Sequence, residues 1–138
     1  MPKIAIIGTT SWGITLGVIL ARKGLEVRLW ARTEEEVDKL NNKGPDPHLM
    51  PNVTFPQQLS FTGSLSEALV HTSAVIMAVP SQSMRQNIRL VKDFLKKSML
   101  IVSAAKGLEI GSNKRMSEVI ADEIKPYLNS NICVLSGP

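Results

Sequence analysis

An apolar run, Ile4-Ala5-Ile6-Ile7, stops at Gly8, and Gly13 opens a second apolar segment five positions later. A strand that ends in a glycine turn and runs into a helix aims backbone N–H groups at an anion, most often a phosphate. The spacing meets the G-x-G-x-x-G fingerprint at its first and third glycines, while Thr10 holds the middle position. A β-branched residue there adds bulk and disfavours positive φ. Two outcomes follow: the loop shifts so that the Thr10 hydroxyl donates to a phosphate oxygen, or anion affinity falls.

The flanking segments strengthen the pattern. Trp12 to Ala21 reads as a helix and Glu26 to Ala31 as a second strand, completing a βαβ unit of about 30 residues. In that helix Trp12, Leu16, Ile19 and Leu20 recur at helical spacing, with Ile14 and Val18 on the remaining sides, as in a helix wedged against a sheet. Gly17 costs about 1 kcal/mol in a helix interior, which close packing against a strand would repay. Gly24, after Arg22 and Lys23, suits a helix C-terminus with cations at the negative end of the dipole.

The alternation continues along the chain. Thr33 before Glu34-Glu35-Glu36 marks a capped helix running to about Asn41, and residues 42–58, with Pro45, Pro47, Pro51, Pro56 and Gly44, form a surface excursion. Short elements follow at Leu59–Thr62 (strand) and Ser64–Val70 (helix), then a fully buried strand, Ala74–Val79, stopped by Pro80. Met84–Leu95 reads as a helix, Leu100–Ser103 as a strand, Met116–Leu128 as a helix and Ile132–Leu135 as a last strand. The expected fold is α/β: a doubly wound, mostly parallel sheet of Rossmann type with helices on both faces. Ligands of such sheets sit beyond the carboxyl ends of the strands. Gly8–Gly13, Arg32, Pro80-Ser81-Gln82, Ala104–Gly107 and Ser136–Pro138 should therefore converge on one crevice.

At 138 residues the chain suits one domain, residues 1–138, and leaves no room for a second. Its net charge of +4 comes from 16 basic and 12 acidic residues, and the bases are dispersed apart from Lys92, Lys96 and Lys97. With six aromatic residues and no dense basic patch, a nucleic-acid partner is not expected. The basic excess suits a solvated surface that also tolerates phosphorylated ligands. The single cysteine, Cys133, reads as a buried strand residue in a reducing compartment. No leader precedes the first strand and no apolar stretch reaches about 18 residues, so a cytoplasmic protein without a membrane span is expected. His48 and His71 lack partners at ligand spacing, and no metal site is expected.

Several of these segments together resemble the bacterial-type NAD(P)-dependent glycerol-3-phosphate dehydrogenases. That family's first loop, G-A-G-S-W-G, is matched by Gly8, Ser11, Trp12 and Gly13, and its second strand end by Leu29 to Arg32. Its L-P-x-V-x-x-P excursion is matched by Met50-Pro51-Asn52-Val53 and Pro56, with methionine in place of leucine. The V-P-S turn is Val79-Pro80-Ser81, the K-G-L-E segment Lys106 to Glu109, and the closing L-S-G-P Leu135 to Pro138.

The resemblance covers the whole chain and implies the amino-terminal, dinucleotide-binding half of an enzyme that interconverts dihydroxyacetone phosphate and sn-glycerol 3-phosphate by hydride transfer, feeding phospholipid synthesis. It also implies an all-helical substrate domain that is absent from these residues and carries the proton-transfer lysine. No catalytic residue is assigned within this chain, the fragment alone is expected to be inactive, and its end at Gly137-Pro138 is expected to be a trimmed one. Gly8, Thr10, Ser11, Trp12, Gly13, Arg32 and Lys106 are the implied cofactor contacts, and Lys106 and Gly137 the implied contacts to a small phosphorylated triose.

No acid ends the second strand, and Arg32 there suits a 2′-phosphate, pointing to NADP(H) or to use of both NADP(H) and NAD(H). Other roles stay open: Arg32 as a solvated cation, Trp12 as a helix-packing residue, Lys106 as an exposed lysine before a glycine turn, and Ser81 either approaching the nicotinamide side or bonding its own turn. A homodimer of the full-length enzyme is compatible with the resemblance. The competing readings are a 3-hydroxyacid dehydrogenase or ketopantoate-type reductase domain, and a non-catalytic nucleotide-sensing domain.

Overall fold

The computed structural model describes residues 2–136. Strands β1 (Lys3–Ile7), β2 (Glu26–Trp30), β3 (Leu59–Thr62), β4 (Ala74–Met77), β5 (Leu100–Ser103) and β6 (Ile132–Val134) form one sheet. Every pairing between them is parallel, and their order is β3-β2-β1-β4-β5-β6. The chain builds outward from β1 to β3 and then returns to β1's other side with β4. The carboxyl ends of β1 and β4 therefore flank the point where strand order reverses, the place where such sheets bind ligands.

The helices are α1 (Ser11–Arg22), α2 (Glu34–Lys43), α3 (Leu65–Leu69), α4 (Met84–Val91) and α5 (Met116–Glu123). Strand side chains alternate between two cores, as the period-2 pleat requires. Ala5, Ile7, Val75, Met77 and Ile101 pack with Leu69, Met84, Ile88, Val119 and Ile120 on the side of α3, α4 and α5. Ile6, Val27, Leu29, Ile76 and Ala78 pack with Leu16, Val18 and Ala21 of α1 on the other. Both faces are covered, which explains why Ala74–Val79 is an unbroken buried apolar run.

Helix α1 turns a different stripe to the sheet from the one its large side chains suggest. Gly13, Leu16, Gly17, Val18 and Ala21 are buried, whereas Trp12 and Ile19 are more than two-fifths exposed. The small residues set the orientation, because they let the helix axis approach the strands. A Cβ on Gly17 would lie 3.2 Å from Leu59 Cδ1 and 3.5 Å from Ile6 Cδ1, so the close packing expected of this glycine is present. The helix ends as expected, with Gly24 at φ +92° donating to the Ala21 carbonyl.

Two helices are shorter than their apolar patterns. The segment 84–95 is α-helical only to Val91 and tightens into a 3₁₀ turn over Lys92–Phe94 before Leu95 becomes extended and leads back toward β5. The segment 116–128 breaks after Glu123 because Pro126 lacks an N–H and forces Lys125 into extended backbone. A 3₁₀ turn, Pro126–Asn131, replaces the predicted last turn. Cys133 is exposed, not buried: β6 is a three-residue edge strand paired only with β5, and Cys133 stands opposite Val102 at that edge. Among the described residues, no helix is long and apolar enough to cross a membrane.

Candidate functional site at the carboxyl ends of the strands

The turn after β1 is shaped by contact with β4. Gly8 adopts φ +117°, and a Cβ there would strike the Ala78 carbonyl oxygen. A Cβ on Gly13 would come within 2.9 Å of the Gly8 carbonyl oxygen and 3.0 Å of Ala78 Cβ. Both glycines are thus required by close approach, the first also by its backbone angle.

Thr10 meets no such demand. Its φ of −62° and ψ of 157° are ordinary extended backbone for an N-cap residue, so the expected penalty for a β-branched side chain does not arise. Its hydroxyl accepts from the Gly13 N–H at 3.1 Å and donates to the Ala78 carbonyl at 2.9 Å. The proton that could have gone to a phosphate oxygen is committed to the strand. What faces outward is backbone: the N–H groups of Ser11 and Trp12 open α1 and have no hydrogen-bond partner among the described residues. Trp12 stands on that first turn with 44% of its surface exposed.

Beside this turn lies a cleft of about 250 Å³ bounded by Gly8, Thr9 and Thr10, by Arg32 and Glu36 after β2, and by Pro80, Ser83 and Asn87 after β4. The Arg32 guanidinium lies 5.8 Å from the Trp30 ring centroid and donates to Asn87 Oδ1 at 3.2 Å. Asn87, almost fully buried, is held in turn by its Nδ2 donating to the Ser83 carbonyl. On the other wall, Thr9 Oγ1 donates to Glu36 Oε2 at 2.7 Å.

Sequence reasoning missed Glu36 and Asn87. Glu36 looks like one of three acids favouring a helix N-terminus. The available signal for Asn87 was a lone amide among Met84, Ile88 and Val91 on a buried helix face.

Lys106 does not join this cleft. It lines a second hollow of about 440 Å³ with Gly107, Met116, Ser117, Leu135 and Ser136. Gly137, the other expected substrate contact, lies outside the described residues. Among the described residues, the segments after β1, β2 and β4 border one hollow and those after β5 and β6 border the other.

The loop carrying Lys106 is fastened from α4's side. Gln82 donates to the Leu108 carbonyl and accepts from the Ile110 N–H, both at 2.9 Å. Between these points the Glu109 carboxylate receives a two-pronged bond from Arg85, at 2.9 and 2.8 Å. Arg85 also reaches Glu123 at 2.7 Å and Asp122 at 3.1 Å. These partners hold the Arg85 guanidinium firmly charged, while its bonds, with help from Ser112, lower the Glu109 carboxyl from 4.5 to about 2. Ser81 is drawn into the same junction, accepting from the Gln82 amide at 3.3 Å.

Two open amides at the positive end of a 12-residue helix, beside the strand-order reversal, fit a pyrophosphate, and the cation near the end of β2 fits the adenosine end of a dinucleotide. Fold and site together define a dinucleotide-binding domain of Rossmann type.

Residues 3–138 match the family described as NAD-dependent glycerol-3-phosphate dehydrogenase N-terminus, and the chain belongs to that family. It is 60% identical to a glycerol-3-phosphate dehydrogenase (NAD(P)+) of Dehalococcoides mccartyi over 100% of this chain and 39% of that protein. The namesake enzyme of Enterococcus faecalis is 40% identical over 99% of this chain and 40% of its own length. The chain thus spans about two-fifths of the curated relatives it matches. The crystal structure of glycerol-3-phosphate dehydrogenase from Coxiella burnetii superposes with a TM-score of 0.85 at 34% identity, covering 99% of this chain and 41% of that one.

Proposed function

We propose that this chain binds NADP(H) or NAD(H) as the amino-terminal half of an enzyme that interconverts dihydroxyacetone phosphate and sn-glycerol 3-phosphate. The observation that carries the reading is the pair of open amides on Ser11 and Trp12, set at the switch point within a family of dehydrogenase domains. In this assignment Gly8 and Gly13 keep the turn tight, Thr10 locks it to β4, and the Ser11 and Trp12 amides hold the pyrophosphate. Arg32 faces the adenosine end.

Reduced nicotinamide, when bound, supplies the hydride. Lys106 contributes a cation that holds the triose phosphate and polarises the carbonyl receiving that hydride. The proton-transfer group belongs to a helical domain beyond these 138 residues, so the chain alone binds but does not turn over. A cytoplasmic setting and a homodimer of the complete enzyme belong to the same proposal.

Titration of the folded chain with NADPH and NADH, followed by the fluorescence of Trp12 and Trp30, tests it. Saturable quenching by either nucleotide is expected, with NADPH affinity falling about tenfold in Arg32→Ala. Absence of quenching and of binding heat at millimolar nucleotide would overturn the reading.

A further inference from the structure

The cofactor cleft carries an acid as well as a base, and the two are kept apart. Arg32 is drawn toward Asn87 and the Trp30 ring on the α4 side, while Glu36 is drawn toward Thr9 on the glycine-turn side. Neither is in an ion pair among the described residues, so neither charge is spent on the other. Both lie just after β2, where this architecture places the adenosine ribose. A carboxylate there accepts hydrogen bonds from ribose hydroxyls and repels a 2′-phosphate, and a guanidinium does the reverse. Thr9 occupies only one of the two carboxylate oxygens. Oε1 has no hydrogen-bond partner among the described residues.

We propose that Glu36, held in place by Thr9, is the group that sets cofactor choice against Arg32. It accepts from the ribose 2′-hydroxyl of NAD(H) and opposes the 2′-phosphate of NADP(H), so that the chain uses both nucleotides instead of selecting the phosphorylated one. This rests on the reading of the cleft as a dinucleotide site. The acid escapes a search of the strand end because it sits four residues beyond Arg32, on the first turn of α2.

Glu36→Gln is the informative variant. The amide oxygen can still accept from Thr9, so the tie to the turn is kept and only the charge is lost. Calorimetric or fluorescence titration of the wild-type chain and this variant with NADPH and NADH gives the ratio of the two affinities. The wild type is expected to bind both nucleotides within about tenfold of each other. Glu36→Gln is expected to move the ratio toward NADPH by about fivefold, and Arg32→Gln to move it the opposite way. If Glu36 serves only to tether α2 to the turn, both affinities stay put or fall together, and an unmoved ratio overturns the proposal while the dinucleotide site stands. Binding of neither nucleotide by the folded wild type would overturn both.

Discussion

The turn after β1 and the loop after β5 sit at the same edge of the same sheet, yet they are held by different physics. The first is fixed mainly by absence of side chains: Gly8 and Gly13 abut Ala78 just after β4, the neutral hydroxyl of Thr10 bonds the Ala78 carbonyl, and one charged tie, Thr9 to Glu36, joins the turn to α2. The second is fixed by charge and by a distant helix, with Arg85 gripping Glu109 while Gln82 clasps the backbone on either side. Steric fit is indifferent to pH and salt, whereas an ion-pair cluster at the surface responds to both. The glycine turn therefore depends less on charge than the lysine-bearing loop does.

The sharpest way to break this contrast is at Gly8. Gly8→Ala places a methyl against the Ala78 carbonyl at a φ of +117°, and chemical denaturation should show a loss of about 3 kcal/mol. A smaller loss, about 1 to 2 kcal/mol by the same measurement, is expected for Thr10→Ala, which removes the helix cap and the bond to Ala78.

The smallest effect on global stability, and the most local, comes from acid. Because the folded-state pKa of Glu109 is depressed to about 2 from 4.5, its contribution is fully present above pH 4.5 and is lost as pH falls toward 2. Solvent-exchange protection across residues 108–115 should decline through that window, relative to any acid-driven change in the whole fold. Protection at Gly13 and Ile14 should track the whole fold. Parallel loss at both loops would erase the distinction drawn between them.

The same contrast explains what could be read from the chain alone. Strand, glycine turn and helix start are local, so Gly8, Gly13 and the βαβ unit were legible, as was the doubly wound sheet they imply. Thr10 was misjudged because its backbone angle depends on where the turn meets β4, not on the motif. The stripe α1 buries was misassigned because two glycines outweigh Trp12 and Ile19 in choosing the contact face. Pro126 ended a helix that apolar spacing alone extended.

Glu36, Asn87 and Arg85 act across 24 to 55 residues of sequence, where spacing carries no information.

The central claim is that the amides opening α1 are the anion-binding group of this chain. Residue-resolved amide chemical shifts recorded during NADPH addition test it directly. The account predicts that Ser11 and Trp12 show the largest saturable shifts, followed by Arg32 and its neighbours. Saturable shifts elsewhere in the domain, with Ser11 and Trp12 unmoved, would contradict it.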